Sequence, residues 1–419
     1  MKSDETVPDT DPVPDRRMVS PFSPARALAL NAMLLAPWFL CGIIGFLPML
    51  RGGSVDFRNM YTAGYMVRSG HGHEIYNSSA QTRFQNELVS YADIPLPFIR
   101  PAFETLLFAP FSFLPFYPAY CAFYAFNLAC LTLCFRLLRP YMANLARVAS
   151  YLPAAMFLFL PINVALASGQ DSIILLTLLA GALACIEKDR EYLAGVLVAC
   201  GLFKFQLVIP IAVLFLVWRR WKFSAAFGGT AALLAAISIW IAGITESAHY
   251  FKSMVQLSYT FHVSPRFPLP IGKTANLHGA LNAFLGGSPL VLPVTIAASA
   301  VAMIFFATRQ PRGGNALVVA IPASCLVSYY LIAYDMSILI VPIAVILSRL
   351  TACNRKTYRY WSLQLITAAL LFVFPVCVTL SGLQFWTVSL PLLGFAIAVA
   401  MLEAPENPRR LHLASDAKL

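Results

Sequence analysis

Apolar residues in this chain come in long blocks. They occupy roughly residues 27–49, 117–138, 148–167, 171–187, 191–203, 205–218, 222–244, 288–308, 314–332, 335–350, 361–380 and 385–402. Several of these blocks approach the ~20 residues an α-helix needs to cross the hydrocarbon core of a bilayer. The pattern predicts an all-α polytopic membrane protein with about 12 transmembrane or re-entrant helices. Short amphipathic helices are expected in the first outer loop. The polar ends are read as cytoplasmic tails, with 1–26 disordered and 403–419 following the last span. Residues 27–402 then form a single integral-membrane domain. The first tail is too long and polar to be the start of a signal peptide.

Basic residues orient the spans. Arg16, Arg17 and Arg26 precede the first run, so the N-terminus is expected inside. The later clusters are Arg136/Arg139/Arg147, Lys188/Arg190, Arg219/Arg220/Lys222, Arg309/Arg312, Arg349/Arg355/Lys356/Arg359 and Arg409/Arg410. All fall on the cytoplasmic side if Tyr192–Trp218 enters and returns to the same side. Lys204 and Gln206 stand at the middle of that stretch. Two short helices with a polar tip satisfy the charge rule, since irregular backbone at membrane depth is tolerated where it lines a cavity. The alternative is one long tilted helix with a snorkelling Lys204. It would put Arg219, Arg220 and Lys222 outside.

Composition supports the same class. The chain is 59% hydrophobic and only 12% charged, against about 25% charged in soluble domains. Its mean hydropathy is +0.71. A net charge of +11 would suggest nucleic acid in a soluble protein. Here the cations sit in loops that the positive-inside rule accounts for, so the bilayer is the expected partner and no nucleic acid is. The nine cysteines contain no Cys-x-x-Cys pair, and most lie in apolar runs. His71 and His73 are two apart and do not share a helix face. No metal site is expected.

Polar chemistry collects in the predicted outer segments, 50–116 and 245–287, and in the turns Ser168–Asp171, Ala333–Asp335 and Ser381–Gln384. Phe98–Pro115 and Asn276–Leu285 are half-apolar and read as interfacial or re-entrant. Ionisable residues at this depth are costly and point to function. Asp56 opens a helix-like segment directly after the first span. It could take a proton from an aqueous hydroxyl or merely cap the helix. Lys204, with Gln206 beside it, and Arg100 are candidate partners for an anionic lipid head group. Asn276 and His278 could contact phosphate or sugar hydroxyls. Arg58, Tyr61 and Gln170 complete the substrate-binding candidates. Tyr334–Asp335 is read as the start of a helix.

These residues resemble a family. "VDFRNMYTAGYMVRSGHGHEIYN" looks like the first outer loop of glycosyltransferase family 87, with its Asp-Phe pair after the first span and its Tyr-Asn ending. "FIRPAFETLLFAPFSFLPFYPAYCAFYAFNLA" is similar to the family's next block. "ALASGQDSIILLTLLAGALACIEKDREYLAGVLVACGLFKFQLVIPIAVLFLVWRRW" is the longest match. "TANLHGALNAFL" and "YLIAYDMSILIVPIAVIL" resemble two later blocks. The resemblance covers most of 27–350. Asn59-Met60 and Phe205 depart from it, standing where aromatics and a proline are common.

The resemblance implies a C-type glycosyltransferase of a bacterial plasma membrane, acting on the extracytoplasmic face. It implies a polyprenyl-monophosphate sugar as donor, mannose by family default, and inverting transfer to a glycan or glycolipid acceptor. By position it makes Asp56 the general base and puts Lys204 on the donor-phosphate side. No cofactor is implied, and no Asp-x-Asp pair stands in an outer loop to hold a metal. Two other classes share the composition. A transporter or lipid-linked-sugar flippase should show internal repeats and mid-helix charges. A glycan ligase or polymerase should carry a large outer domain rich in Arg and His.

Overall fold

The computed structural model describes residues 55–90, 96–145, 158–260, 262–264, 267–268, 273–352 and 358–402. The predicted first span at 27–49, both predicted tails and the start of the run at 148–167 lie outside the described residues. The first polar segment holds α1 (Phe57–Arg68), α2 (Ser78–Leu88) and the short α3 (Thr105–Phe108). Then come α4 (Phe116–Leu138), α5 (Leu160–Ser168), α6 (Ser172–Ile186), α7 (Glu191–Cys200), α8 (Phe205–Val217), α9 (Trp221–Ala242) and α10 (Ile244–Thr260). A small antiparallel ribbon pairs β1 (His262–Ser264) with β2 (Phe267–Pro268). The chain continues through α11 (Leu277–Phe284), α12 (Val291–Ala307), α13 (Asn315–Val327), α14 (Ile340–Ala352), α15 (Tyr358–Ser381) and α16 (Ser389–Leu402).

Among the described residues, three stretches are long and apolar enough to cross a membrane: Phe116–Met142, Glu191–Val217 and Trp221–Ala242. The second is not a straight rod. The backbone of Lys204 leaves helical geometry, with φ −115° and ψ 57°. The ends of the stretch then come back together. Glu191 pairs with Arg220, and a side chain on Gly195 would run into the Phe223 carbonyl. A continuous helix of 27 residues would hold its ends roughly 40 Å apart. So α7 runs in, the chain turns at Lys204, and α8 returns to the starting side. The tilted-helix alternative is excluded by this contact.

The helix ends sort into two groups. At the basic end, Gly314 N–H donates to Glu187 at 2.8 Å, Arg220 donates to the Gly313 carbonyl at 3.4 Å, and Trp218 Nε1 donates to the Ala307 carbonyl at 3.1 Å. The turns at Ser168–Asp171, Lys204 and Ala333–Asp335 meet at the other end. Between them α13 is buried on every side from Ala316 to Leu326, as expected of a helix that is apolar all round.

Helix α13 ends at Val327, short of the predicted boundary at residue 332. The polar backbone after it has partners elsewhere. The Ser328 carbonyl accepts from Asn276 Nδ2 at 2.5 Å, and the Leu331 carbonyl accepts from Ala275 N–H at 2.8 Å. Extended chain is favoured there because the segment leading into α11 supplies the donors.

The first polar segment has its own aromatic core. Phe57 is fully buried and packs with Phe108, Phe116, Tyr120 and Phe123 at centroid distances of 5.2 to 6.1 Å. Such ring pairs add about 0.5–1.5 kcal/mol each beyond their buried area. Gly64 lets α1 touch α3 backbone to backbone, since a Cβ there would meet the Phe108 carbonyl carbon at 2.6 Å. This packing fixes where α1 begins, and therefore where Asp56 stands.

Candidate functional site

A cavity of about 880 Å³ opens at the end opposite the basic turns. That is within the ~300–1,000 Å³ range of small-ligand sites. Its walls come from five distant parts of the chain: the start of α1, the segment before α3, the α5–α6 turn, the α7–α8 turn and the segment from Tyr329 to Asp335. Lys273 and the α15–α16 turn close it.

Asp56 begins α1, but its side chain makes no capping hydrogen bond. Its carboxylate instead accepts from Gln170 Nε2 at 2.7 Å. Burial raises its pKa above the ordinary carboxylate value, opposed by the Gln170 hydrogen bond and the nearby Arg100 and Lys204 charges. Gln170 is held in turn. Its Oε1 accepts from Arg100 at 3.0 Å, and its backbone carbonyl accepts from Asn127 at 3.2 Å. Gly169 makes the turn possible. Its φ is +66°, and a Cβ would meet Phe57 Cβ at 2.7 Å.

Behind Gln170 lies a closed set of charges. Asp171, fully buried, takes Arg100 Nη1 at 2.9 Å and Lys204 Nζ at 2.9 Å. Lys204 also contacts Asp335 at 2.5 Å and lies 4.9 Å from the centre of the Tyr334 ring. Two cations thus face two carboxylates. Burial works against the charge of Asp171, but the Arg100 and Lys204 cations bring its carboxyl below the usual range. Glu104 stands beside it, buried. Burial first, and then the Asp171 charge, raise Glu104 well above its ordinary value.

Of the residues expected from sequence, Asp56, Arg100, Gln170, Lys204 and Gln206 all line this cavity. The sequence places Lys204 with Gln206 at a polar tip, facing outward toward an anionic lipid head group. Lys204 is instead 1% exposed and matched by two acids, because a buried ammonium without a partner would be too costly. Four other candidates do not line the cavity. Arg58 is buried between α1 and α2, donating to Gln85 Oε1 at 2.9 Å and to the Ser90 carbonyl at 2.6 Å. Tyr61 sits in the aromatic core and donates to the Leu114 carbonyl at 2.8 Å. Asn276 caps α11, accepting from Gly279 N–H at 2.9 Å. His278 is buried, and burial pushes its pKa down to about 4. In the structure these four brace the segments around the cavity rather than line it.

Asp171, Asp335 and Glu104 belong to the outer polar residues of the sequence, but residue type alone assigns them no role in the site. Asp335, read as part of a helix start, lies in the 3-10 turn Ala333–Leu339 that leads directly into α14, and its side chain is buried. A single acid ahead of an otherwise apolar run was the available signal, since such an acid needs a cation from elsewhere in the chain.

A model of glycosyltransferase family 87 matches residues 98–328. No curated protein and no solved structure matches the chain. The matched stretch begins after Asp56 and ends before Asp335. It contains Arg100, Gln170, Asp171, Lys204 and Lys273. More than half of the chain, and with it the cavity wall from Ile99 to Lys273, follows the pattern of one family, and on that ground the chain belongs to glycosyltransferase family 87.

Proposed function

We propose that this membrane glycosyltransferase has a C-type fold of about twelve spanning or re-entrant segments. In this reading it moves mannose from a polyprenyl-monophosphate sugar to a glycan or glycolipid acceptor. Transfer proceeds with inversion on the extracytoplasmic face of a bacterial plasma membrane. The observation that carries the reading is Asp56, a carboxylate on a cavity wall, free of its helix and held by Gln170. The location of the basic turns at the other end of the molecule supports the assigned side.

The reaction needs one base and one leaving group. Asp56 takes the proton from the acceptor hydroxyl. The acceptor oxygen bonds to the anomeric carbon while that carbon's bond to the phosphate oxygen breaks. The phosphate leaves with the electron pair. A retaining route would need a second carboxylate as nucleophile, about 5–5.5 Å from the first. The neighbouring acids are unsuited to that role, because Asp171 and Asp335 are already bound to Arg100 and Lys204. Those two cations set the field at the floor of the site, and their charge is shared rather than free.

The test is transfer of labelled mannose from polyprenyl-phosphate-mannose by purified protein in membranes. Asp56→Asn is expected to lower the rate about 10²–10⁴-fold, the usual worth of a general base. Equal rates in the two proteins would remove Asp56 from the chemistry. Absence of transfer by the unaltered protein would reject the donor.

A further inference from the structure

The charge pattern of the cavity leaves one cation unused. Arg100 is held by Asp171 and Gln170, and Lys204 by Asp171 and Asp335. Lys273 also lines the cavity. It is exposed, and no ion pair joins it to any described carboxylate. With the two cations and two acids of the floor cancelled, Asp56 and Lys273 are the charges left over on the cavity lining among the described residues.

The segment behind Lys273 is built as a mount. Thr274, Ala275 and Asn276 are fully buried. Ala275 N–H donates to the Leu331 carbonyl at 2.8 Å, and Asn276 Nδ2 donates to the Ser328 carbonyl at 2.5 Å. Any side chain at Gly279 would collide with the Thr274 carbonyl. These contacts tie Lys273 to the segment after α13 that carries Tyr329 and Tyr330 into the same cavity. An exposed lysine that served only solubility would need no such anchorage.

We propose that Lys273 is the cation that binds the phosphate of the lipid-linked donor and stabilises it as it leaves. Resting on the function proposed above, this gives the departing phosphate a counter-charge that is not already claimed by an acid. The electrons of the breaking bond end on the phosphate oxygen, and Lys273 remains protonated throughout. Lys is suited to this as a mobile point charge with three donors.

The experiment measures binding by the full chain in nanodiscs of zwitterionic lipid. The probes are a short-chain isoprenyl monophosphate and the isoprenol of the same length, so their affinity ratio isolates the phosphate. In the unaltered protein the phosphate is expected to bind far more tightly. Lys273→Gln should reduce that preference by roughly tenfold or more, the scale of a lost charged hydrogen bond. Lys273→Arg should retain most of it. Thermal midpoints should not move, because the side chain is exposed. Full preference in Lys273→Gln would overturn the proposal while leaving the donor assignment intact. No preference in the unaltered protein would overturn both. If phosphatidylglycerol displaced the probe as readily as a longer polyprenyl phosphate does, Lys273 would be a general lipid contact, and the donor role would fall.

Discussion

Asp56 is paid for in stability. A carboxylate whose folded pKa is raised binds more protons in the native than in the unfolded chain over the window between its two pKa values. Its contribution to stability is therefore full below the unfolded value and is lost as pH rises through the folded one. Activity runs the other way, since a base must be deprotonated. Transfer is expected to fall as pH drops through the raised pKa, with an acid limb above the ordinary carboxylate range, measured as kcat/KM against pH. Asp56→Asn should abolish that limb with the activity and, at neutral pH, unfold at a temperature no lower than the unaltered protein. A midpoint several degrees lower would make the lost activity a folding defect. His278, held near 4 by burial, is not expected to contribute a limb near neutrality. Lys204 behaves differently. Replacing it with Met leaves Asp171 and Asp335 buried without their shared cation, a change that typically costs ~3–5 kcal/mol. Chemical denaturation of the purified protein should show a loss of that order.

At the scale of elements, the α7–α8 hairpin governs the floor of the cavity. Its return brings Lys204 to Asp171 and Asp335, and its first arm packs on α9 through Gly195. Close approach through a small residue is a general device of membrane helices. Gly195→Leu would force α7 away from the Phe223 carbonyl. Overpacking of this kind costs about 1–3 kcal/mol or more. Gly228→Leu on α9 meets nothing within 4 Å and serves as the control. The expected outcome is poor yield or a lowered midpoint for the first and little change for the second. Comparable behaviour of the two would contradict the hairpin packing. The extended segment after α13 acts similarly, trading a longer helix for the contacts that hold Asn276 and Ala275 in place.

For the whole molecule, the cavity exists only because turns from far apart meet at one end. The family assignment separates an enzyme from a transporter of similar composition. The proposed sidedness can be read directly. In a background with the native cysteines replaced, Ser79→Cys in α2 and Thr308→Cys after α12 are both exposed. A membrane-impermeant thiol reagent applied to intact cells should label the first and spare the second. Labelling of Thr308→Cys alone would turn the molecule over and place the cavity on the cytoplasmic side.

The sequence by itself determined the apolar segments, because hydrophobic length is a local property that does not wait for folding. It also carried the hairpin. A lysine in mid-run and basic residues at its end have one economical arrangement, and the contact of Glu191 with Arg220 matches it. Asp56 was legible as an acid at a span's edge, although its choice between cap and cavity was not. Only the tertiary structure decided how the charges pair. Lys204 and Asp335 are 131 residues apart in the chain, and no spacing rule links them. The same limit applies to Arg58, Tyr61, Asn276 and His278, whose residue types suit a substrate site and a buried hydrogen-bond network equally. Whether a polar side chain faces a ligand or braces a wall depends on which backbone groups packing leaves without partners, and that is settled only when distant segments come together.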